Sequence, residues 1–200
     1  VECSVLPLDI GNVAYLDGER HVRVTMAMDA IAAMLCRHDR RTTLAYLATV
    51  QPVEPGDSML HPAPLSHGSG LYHLPYVLQG GVNVIPTASS LDCSEFFALA
   101  RHWRNASCFA APTIVRRLVD FARMHRPDTT GLATIVYGGA PMYLSDIEDA
   151  LAVIGPHFAQ IYGQGESPMT ITALDRRLHA DRGHPGDALG DILPVTLGHQ

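Results

Sequence analysis

The chain has 200 residues, of which 47% are hydrophobic and 17% charged, and carries a formal net charge of −6. It is long and apolar enough to bury a substantial core, which excludes a disordered chain. The acidic balance and the lack of a basic stripe with interleaved aromatics exclude a general nucleic-acid binder, and no apolar run of about 18 residues is present to span a bilayer.

Three zones differ in character. Residues 1–40 are the least orderly: GNVAYLDGERHVRVT leads into MAMDAIAAMLCRHDRR, an Ala- and Met-rich helical stretch ending in a basic cluster. Residues 41–172 alternate short apolar runs with helical patterns. SMLHPAP (58–64) reads as a strand entering a turn. GLYHLPYVLQ (70–79) has helical spacing, with a kink or early break expected at Pro75. VNVIP (82–86) is a β-branched run stopped by Pro86. SEFFALARHWR (94–104) is a helix with Ser94 as its expected N-cap. SCFAAP (107–112) is a strand, after which Pro112 opens the helix PTIVRRLVDFARMH. LATIVYGG (132–139) is a strand closing on glycines, SDIEDALAVIG (145–155) a helix with Ser145 as the expected N-cap, and FAQIYG (158–163) a further strand. Residues 173–200, rich in Gly, Pro, Asp and His, read as irregular with one short strand.

Strands alternating with helices of 10–14 residues predict an α/β fold with a mostly parallel sheet and helices on both faces. Ligands collect at loops following strand C-termini in such sheets. The two most Gly-rich loops, YGGAPM and YGQGESPM, each follow a predicted strand, which is where chemistry is expected.

The four cysteines, Cys3, Cys36, Cys93 and Cys108, are scattered with no CxxC pair. Reduced thiols and a cytoplasmic setting are expected rather than a disulfide scaffold or zinc cluster. VECSVLPLDIGN has no basic region of the kind a secretory signal needs, and it lacks an initiator Met, so the chain is expected to begin within a longer protein.

HPAPLSHGSGLYHLPYVLQGGVNVI (61–85), FAAPTIVRRLV (109–119), TIVYGGAPM (134–142) and FAQIYGQGESPMTIT (158–172), in that order, resemble the adenylate-forming superfamily of acyl-CoA synthetases, luciferases and peptide-synthetase adenylation domains. The first matches its PLxHxxGL segment, the second xxPTxxxxL and the fourth YGxTE. The resemblance implies an AMP-binding core at 41–172 that belongs to the large N-terminal domain of an acyl-CoA synthetase of the fatty-acid–CoA ligase type. It implies ATP, coenzyme A and a fatty or aromatic carboxylic acid as partners, with Mg²⁺ as cofactor.

The same resemblance implies roles residue by residue. Gly139, Ala140 and Pro141 contact adenine. Tyr162 stacks on the base, with Gly163, Gln164 and Gly165 completing the nucleotide loop. Glu166 holds Mg²⁺, and His67 stands near the reacting carboxylate as the catalytic candidate. By residue chemistry alone, alternatives stay open. Gly138 and Gly139 suit either a close backbone approach or a plain helix-entry turn. Tyr162 suits a stacking face or a core aromatic, Glu166 a metal ligand or a solvated charge, and His67 a site or a loop histidine. The apolar positions Leu71, Leu74 and Val77 suit an acyl wall or a core helix.

Departures accompany the matches. Gly165 replaces the family's usual Thr. YLDGERHVRV stands where the phosphate loop is expected, and Asp17 and Glu19 there would repel phosphates. The ribose-binding Asp segment and the C-terminal domain with its catalytic lysine are not found, so residues 1–40 read as degenerate and the chain as inactive by itself. A nucleotide- or acyl-binding module without turnover is the second reading. An α/β-hydrolase built on HGSG is a third, and metal binding by the pairs His67/His73 or His179/His184 a fourth.

Overall fold

A computed structural model describes residues 46, 50–103, 105–164 and 167–180. The described chain begins its sheet with β1 (Ser58–Leu60), which runs through a loop into a 3-10 turn (Gly68–Tyr72) and helix α1 (His73–Leu78). Then come β2 (Val82–Val84), α2 (Cys93–His102), β3 (Ala106–Ala110), α3 (Pro112–His125), β4 (Leu132–Tyr137), α4 (Leu144–Val153), β5 (Phe158–Gln164), β6 (Ser167–Leu174) and α5 (Arg176–Ala180). One six-stranded sheet has the order β2-β1-β3-β4-β5-β6, parallel throughout except for β6, which pairs antiparallel with β5. The expected α/β fold with a mostly parallel sheet is therefore what forms.

Alternation along each strand sends side chains to two cores. On one face, Leu60, Cys108, Ile135, Tyr137 and Phe158 meet Phe96 and Leu99 of α2, Val115 and Leu118 of α3 and Ile147 of α4. On the other, Met59, Val136 and Ile161 meet Tyr46, Tyr72 and Tyr76. That second face buries phenols, and it satisfies them. The Tyr46 and Tyr72 hydroxyls lie 3.2 Å apart, and Gln51 Nε2 donates to Tyr76 Oη at 2.8 Å. Burial pushes all three phenols well above their ordinary range.

Local chemistry departs from the sequence expectations in five places. Asp92, not Ser94, caps α2: its carboxylate accepts from the backbone N–H groups of Ser94 and Glu95. Tyr143, not Ser145, stands at the N-cap of α4, with no side-chain hydrogen bond. Pro75 lies in the first turn of α1, where an amide has no helical partner to lose, so it breaks nothing. The stretch after Tyr162 is not a loop on the model of YGGAPM. β5 continues through Gln164 and β6 begins at Ser167, giving a tight hairpin with a register shift between Tyr162 and Gln164. Residues 173–180, expected to be irregular, hold the end of β6 and α5.

Candidate functional site

The parallel strands β1, β3, β4 and β5 deliver their C-terminal ends to one edge of the sheet, and the described site candidates lie on or after these strands. The turn after β4 is held against β5 by its first glycine. Gly138 is buried, and a Cβ there would lie 2.6 Å from the carbonyl oxygen of Ile161. No side chain fits without separating the two strands. Gly139 takes φ +81°, a left-handed conformation that glycine adopts freely. Gly139, Ala140 and Pro141 are exposed, and buried Met142 ties down the far end of the turn. The result is a strip of three small, solvent-facing residues beside the end of β5, where Tyr162 stands half-buried opposite Thr172 of β6.

The loop after β1 joins this strip through one ring. A Cβ at Gly68 would lie 2.6 Å from Phe109 Cε1, and one at Gly139 would lie 3.9 Å from Phe109 Cζ. Phe109, near the end of β3, thus touches both segments, and it stacks on Tyr72 with ring centroids 5.9 Å apart. His67 is the residue before Gly68. It is exposed, with Nδ1 3.1 Å from the carbonyl oxygen of Ser66. Gly165 and Glu166 lie outside the described residues, as does the 15–24 segment. Tyr162, Gly163 and Gln164, expected in a loop, belong to β5.

Behind His67 sits a buried polar clamp that the sequence reading did not single out. His61 is 4% exposed, with Nδ1 2.8 Å from Ser69 Oγ and Nε2 2.7 Å from Asn83 Oδ1. Asn83 Nδ2 in turn donates to the His73 carbonyl at 3.1 Å. The clamp therefore connects the end of β1, the 3-10 turn, α1 and β2. Desolvation, the largest effect, lowers the His61 pKa to about 4 despite the Asn83 hydrogen bond, so the ring is neutral near pH 7. The only sequence signal is a polar residue set inside an apolar run, His61 after SML and Asn83 within VNV.

The clamp also bears on two weaker readings. Ser69, the nucleophile of the hydrolase reading, is 0% exposed, so no ester reaches its hydroxyl. His67 is exposed while His73 is buried at 2%, so those two rings face different surroundings. Among the described residues no group of three or more His, Cys, Asp or Glu is placed to hold a metal. None of the described helices is long and apolar enough to cross a membrane.

Comparison with known proteins converges on one family. Residues 25–195 match the family described as AMP-binding enzyme. A medium/long-chain-fatty-acid–CoA ligase, FadD8, of Mycobacterium tuberculosis is 30% identical over 119 residues, which is 60% of this chain and 20% of the relative. A feruloyl-CoA synthase of an Amycolatopsis species is 29% identical over 122 residues, 60% of this chain and 24% of the relative. The structure of the amide bond synthetase McbA from Marinactinospora thermotolerans superposes with a TM-score of 0.60 at 25% identity, covering 82% of this chain and 31% of that one. The chain thus spans between 20% and 31% of the length of these relatives. With the family match extending over most of the sequence and the fold shared with solved adenylate-forming enzymes, the chain belongs to the AMP-binding enzyme family.

Proposed function

We propose that the described unit supplies the adenine and carboxylate side of an acyl-CoA synthetase site, in a cytoplasmic protein that converts a fatty or aromatic acid to its coenzyme A thioester. The observation that supports this is the close approach of Gly138 to the Ile161 carbonyl, which brings the turn leading into the exposed residues 139–141 against β5 one residue before Tyr162. A flat base fits between small residues that cannot obstruct it and a ring that can stack on it.

Two displacements make up the reaction. A carboxylate oxygen attacks the α-phosphorus of ATP, and the bond to the β-phosphate oxygen breaks, releasing pyrophosphate. The coenzyme A sulfur, as thiolate, then attacks the acyl carbon, and the bond to the AMP oxygen breaks. Both steps depend on positioning and charge stabilisation. In this chain the 139–141 strip and Tyr162 hold the base. His67, exposed on a loop that Phe109 joins to that strip, orients the carboxylate. Magnesium, which the resemblance assigns to Glu166, supplies charge neutralisation at the phosphates; the described residues include neither that glutamate nor another ligand set for the ion.

The chain covers 20% of the length of FadD8, which favours binding without turnover for these 200 residues by themselves. Calorimetry with AMP and an acyl-adenylate analogue, alongside pyrophosphate release with ATP and a panel of carboxylates, separates the outcomes. Binding with little pyrophosphate release is expected, and rapid turnover would overturn the inactivity of the isolated chain. Failure to bind either nucleotide would overturn the site.

A further inference from the structure

The loop that carries His67 is closed at its neck by a side chain. It leaves β1 at His61 and returns at Ser69, eight residues on, where His61 Nδ1 and Ser69 Oγ lie 2.8 Å apart. Pro62 and Pro64 stiffen the outgoing half. On the returning half the His67 amide donates to the Pro64 carbonyl at 3.1 Å, and the Gly70 amide donates to the His67 carbonyl at 2.9 Å. Both backbone polar groups of His67 are therefore paired while its ring stays exposed. Gly68, next in the chain, lies against the Phe109 ring.

The protons in the neck follow from one atom. Asn83 Nδ2 donates to the His73 carbonyl at 3.1 Å, so Asn83 turns its oxygen toward His61 Nε2, 2.7 Å away. An amide oxygen only accepts, so Nε2 carries the imidazole proton. Burial holds the ring neutral, with its pKa lowered to about 4, and Nδ1 is then bare. The Ser69 hydroxyl donates to it. Each group thus donates to the next, from Ser69 through His61 and Asn83 to the His73 carbonyl. The backbone of His61 is fixed as well, since its amide donates to the Val84 carbonyl at 3.0 Å. Strands β1 and β2 anchor the ring, and the ring anchors the turn.

A buried histidine that merely satisfied its neighbours would have no reason to lie on this path. The bond from His61 lands two residues from His67, inside the turn that the His67 carbonyl helps to form. Phenylalanine at 61 would fill the space but leave Ser69 without its acceptor and the loop open at its neck. In a site that works by orientation, a shift of about 1 Å in such a loop is costly.

We propose that His61 is a positioning residue: its fixed tautomer closes the 61–69 loop and so sets His67 against the carboxylate of the acid. The link to the acid rests on the reading of His67 given under the proposed function.

The test uses the 200-residue chain. Nitrogen-15 shifts of the labelled imidazoles are expected to show His61 protonated at Nε2 and bare at Nδ1, and the opposite tautomer overturns the assignment. His61→Phe is expected to speed amide exchange at Gly70 and to shift the His67 ring resonances while α3 stays protected. Binding of octanoyl- or benzoyl-sulfamoyl-adenosine is expected to weaken about tenfold in that variant, the scale for losing a partner that orients a functional side chain, with AMP affinity within about twofold. His61→Gln, whose amide keeps one donor and one acceptor, is expected to restore most of the lost affinity. In a His67→Ala background His61→Phe is expected to add nothing, because the route through His67 is already cut. A full further loss in that background, or equal losses for AMP and the acyl analogues, assigns His61 to general stability and overturns the positioning role. Failure of the unaltered chain to bind AMP overturns the nucleotide site instead. In that case unchanged Gly70 exchange and His67 resonances in His61→Phe still overturn the positioning of His67.

Discussion

Gly138 and Ile161 meet backbone to backbone, at a distance that leaves no room for even a methyl group between β4 and β5. The contact fixes the turn carrying Gly139, Ala140 and Pro141 beside the end of β5. Gly138→Ala forces its methyl against the Ile161 carbonyl, and overpacking of this kind costs about 3 kcal/mol. Gly139→Ala meets only the Phe109 ring at 3.9 Å and has its left-handed φ of +81° as the obstacle, a cost of about 1–2 kcal/mol. Urea unfolding of the two variants should rank Gly138→Ala as the more damaging. Equal effects would show that the strands tolerate separation.

The His61 clamp makes stability depend on pH. The folded-state pKa, about 4, lies below the ordinary value of 6.5, so the unfolded chain binds more protons between those values. Stability therefore falls as pH drops through that window, by about 3 kcal/mol at most from this residue. Buried His73 and His179 and half-buried His157 shift in the same direction, chiefly through desolvation. Unfolding measured at pH 7.5, 6 and 5 should show a steady loss, and His61→Phe should flatten it while lowering stability at pH 7.5 through the abandoned Ser69 and Asn83. An unchanged slope in that variant would show that His61 is not buried as described.

At the end of the described chain, α5 is tied to β4 by a buried polar contact, beside the exposed hydrogen bond that Arg176 donates to the Ala133 carbonyl. Tyr137 Oη of β4 lies 2.9 Å from Nε2 of His179, which is 0% exposed on α5. Tyr137→Phe leaves that nitrogen buried without a partner, costing about 1–3 kcal/mol. Amide exchange should accelerate at residues 176–180 while α3 stays protected. Uniform acceleration would mean that the contact serves the whole sheet instead.

Tyr162 should contribute through its ring. Tyr162→Ala is expected to weaken AMP binding by about 1–3 kcal/mol, the scale of base–aromatic stacking, and Tyr162→Phe to leave it nearly unchanged. Loss of affinity in the phenylalanine variant alone would point to the hydroxyl rather than the ring.

The strands and long helices were legible because their signals are local. Pro112 opens α3 where expected, and PTIVRRLVDFARMH is helical from end to end. The caps of α2 and α4 were not: the Asp92 carboxylate two residues upstream displaces Ser94 at α2, whereas α4 begins at Leu144 with Tyr143 at its N-cap and no side-chain hydrogen bond there, which leaves Ser145 inside the first turn. β6 escaped notice because SPMTITAL follows a Gly-rich stretch that reads as a loop, and a tight hairpin needs its partner strand to be recognised. The segment order placed His67 and the 139–141 strip on one edge of the sheet. Phe109, which joins them, carries no sequence mark of that role: it lies in an apolar strand, and only tertiary packing brings Gly68 and Gly139 to its ring.

Titration of the isotopically labelled chain with AMP, read as backbone NMR shifts, tests the nucleotide slot most directly. Saturable shifts concentrated at residues 139–141 and 162–164 are the expected result. Saturating AMP that leaves both segments unmoved, or moves only residues remote from them, would contradict it.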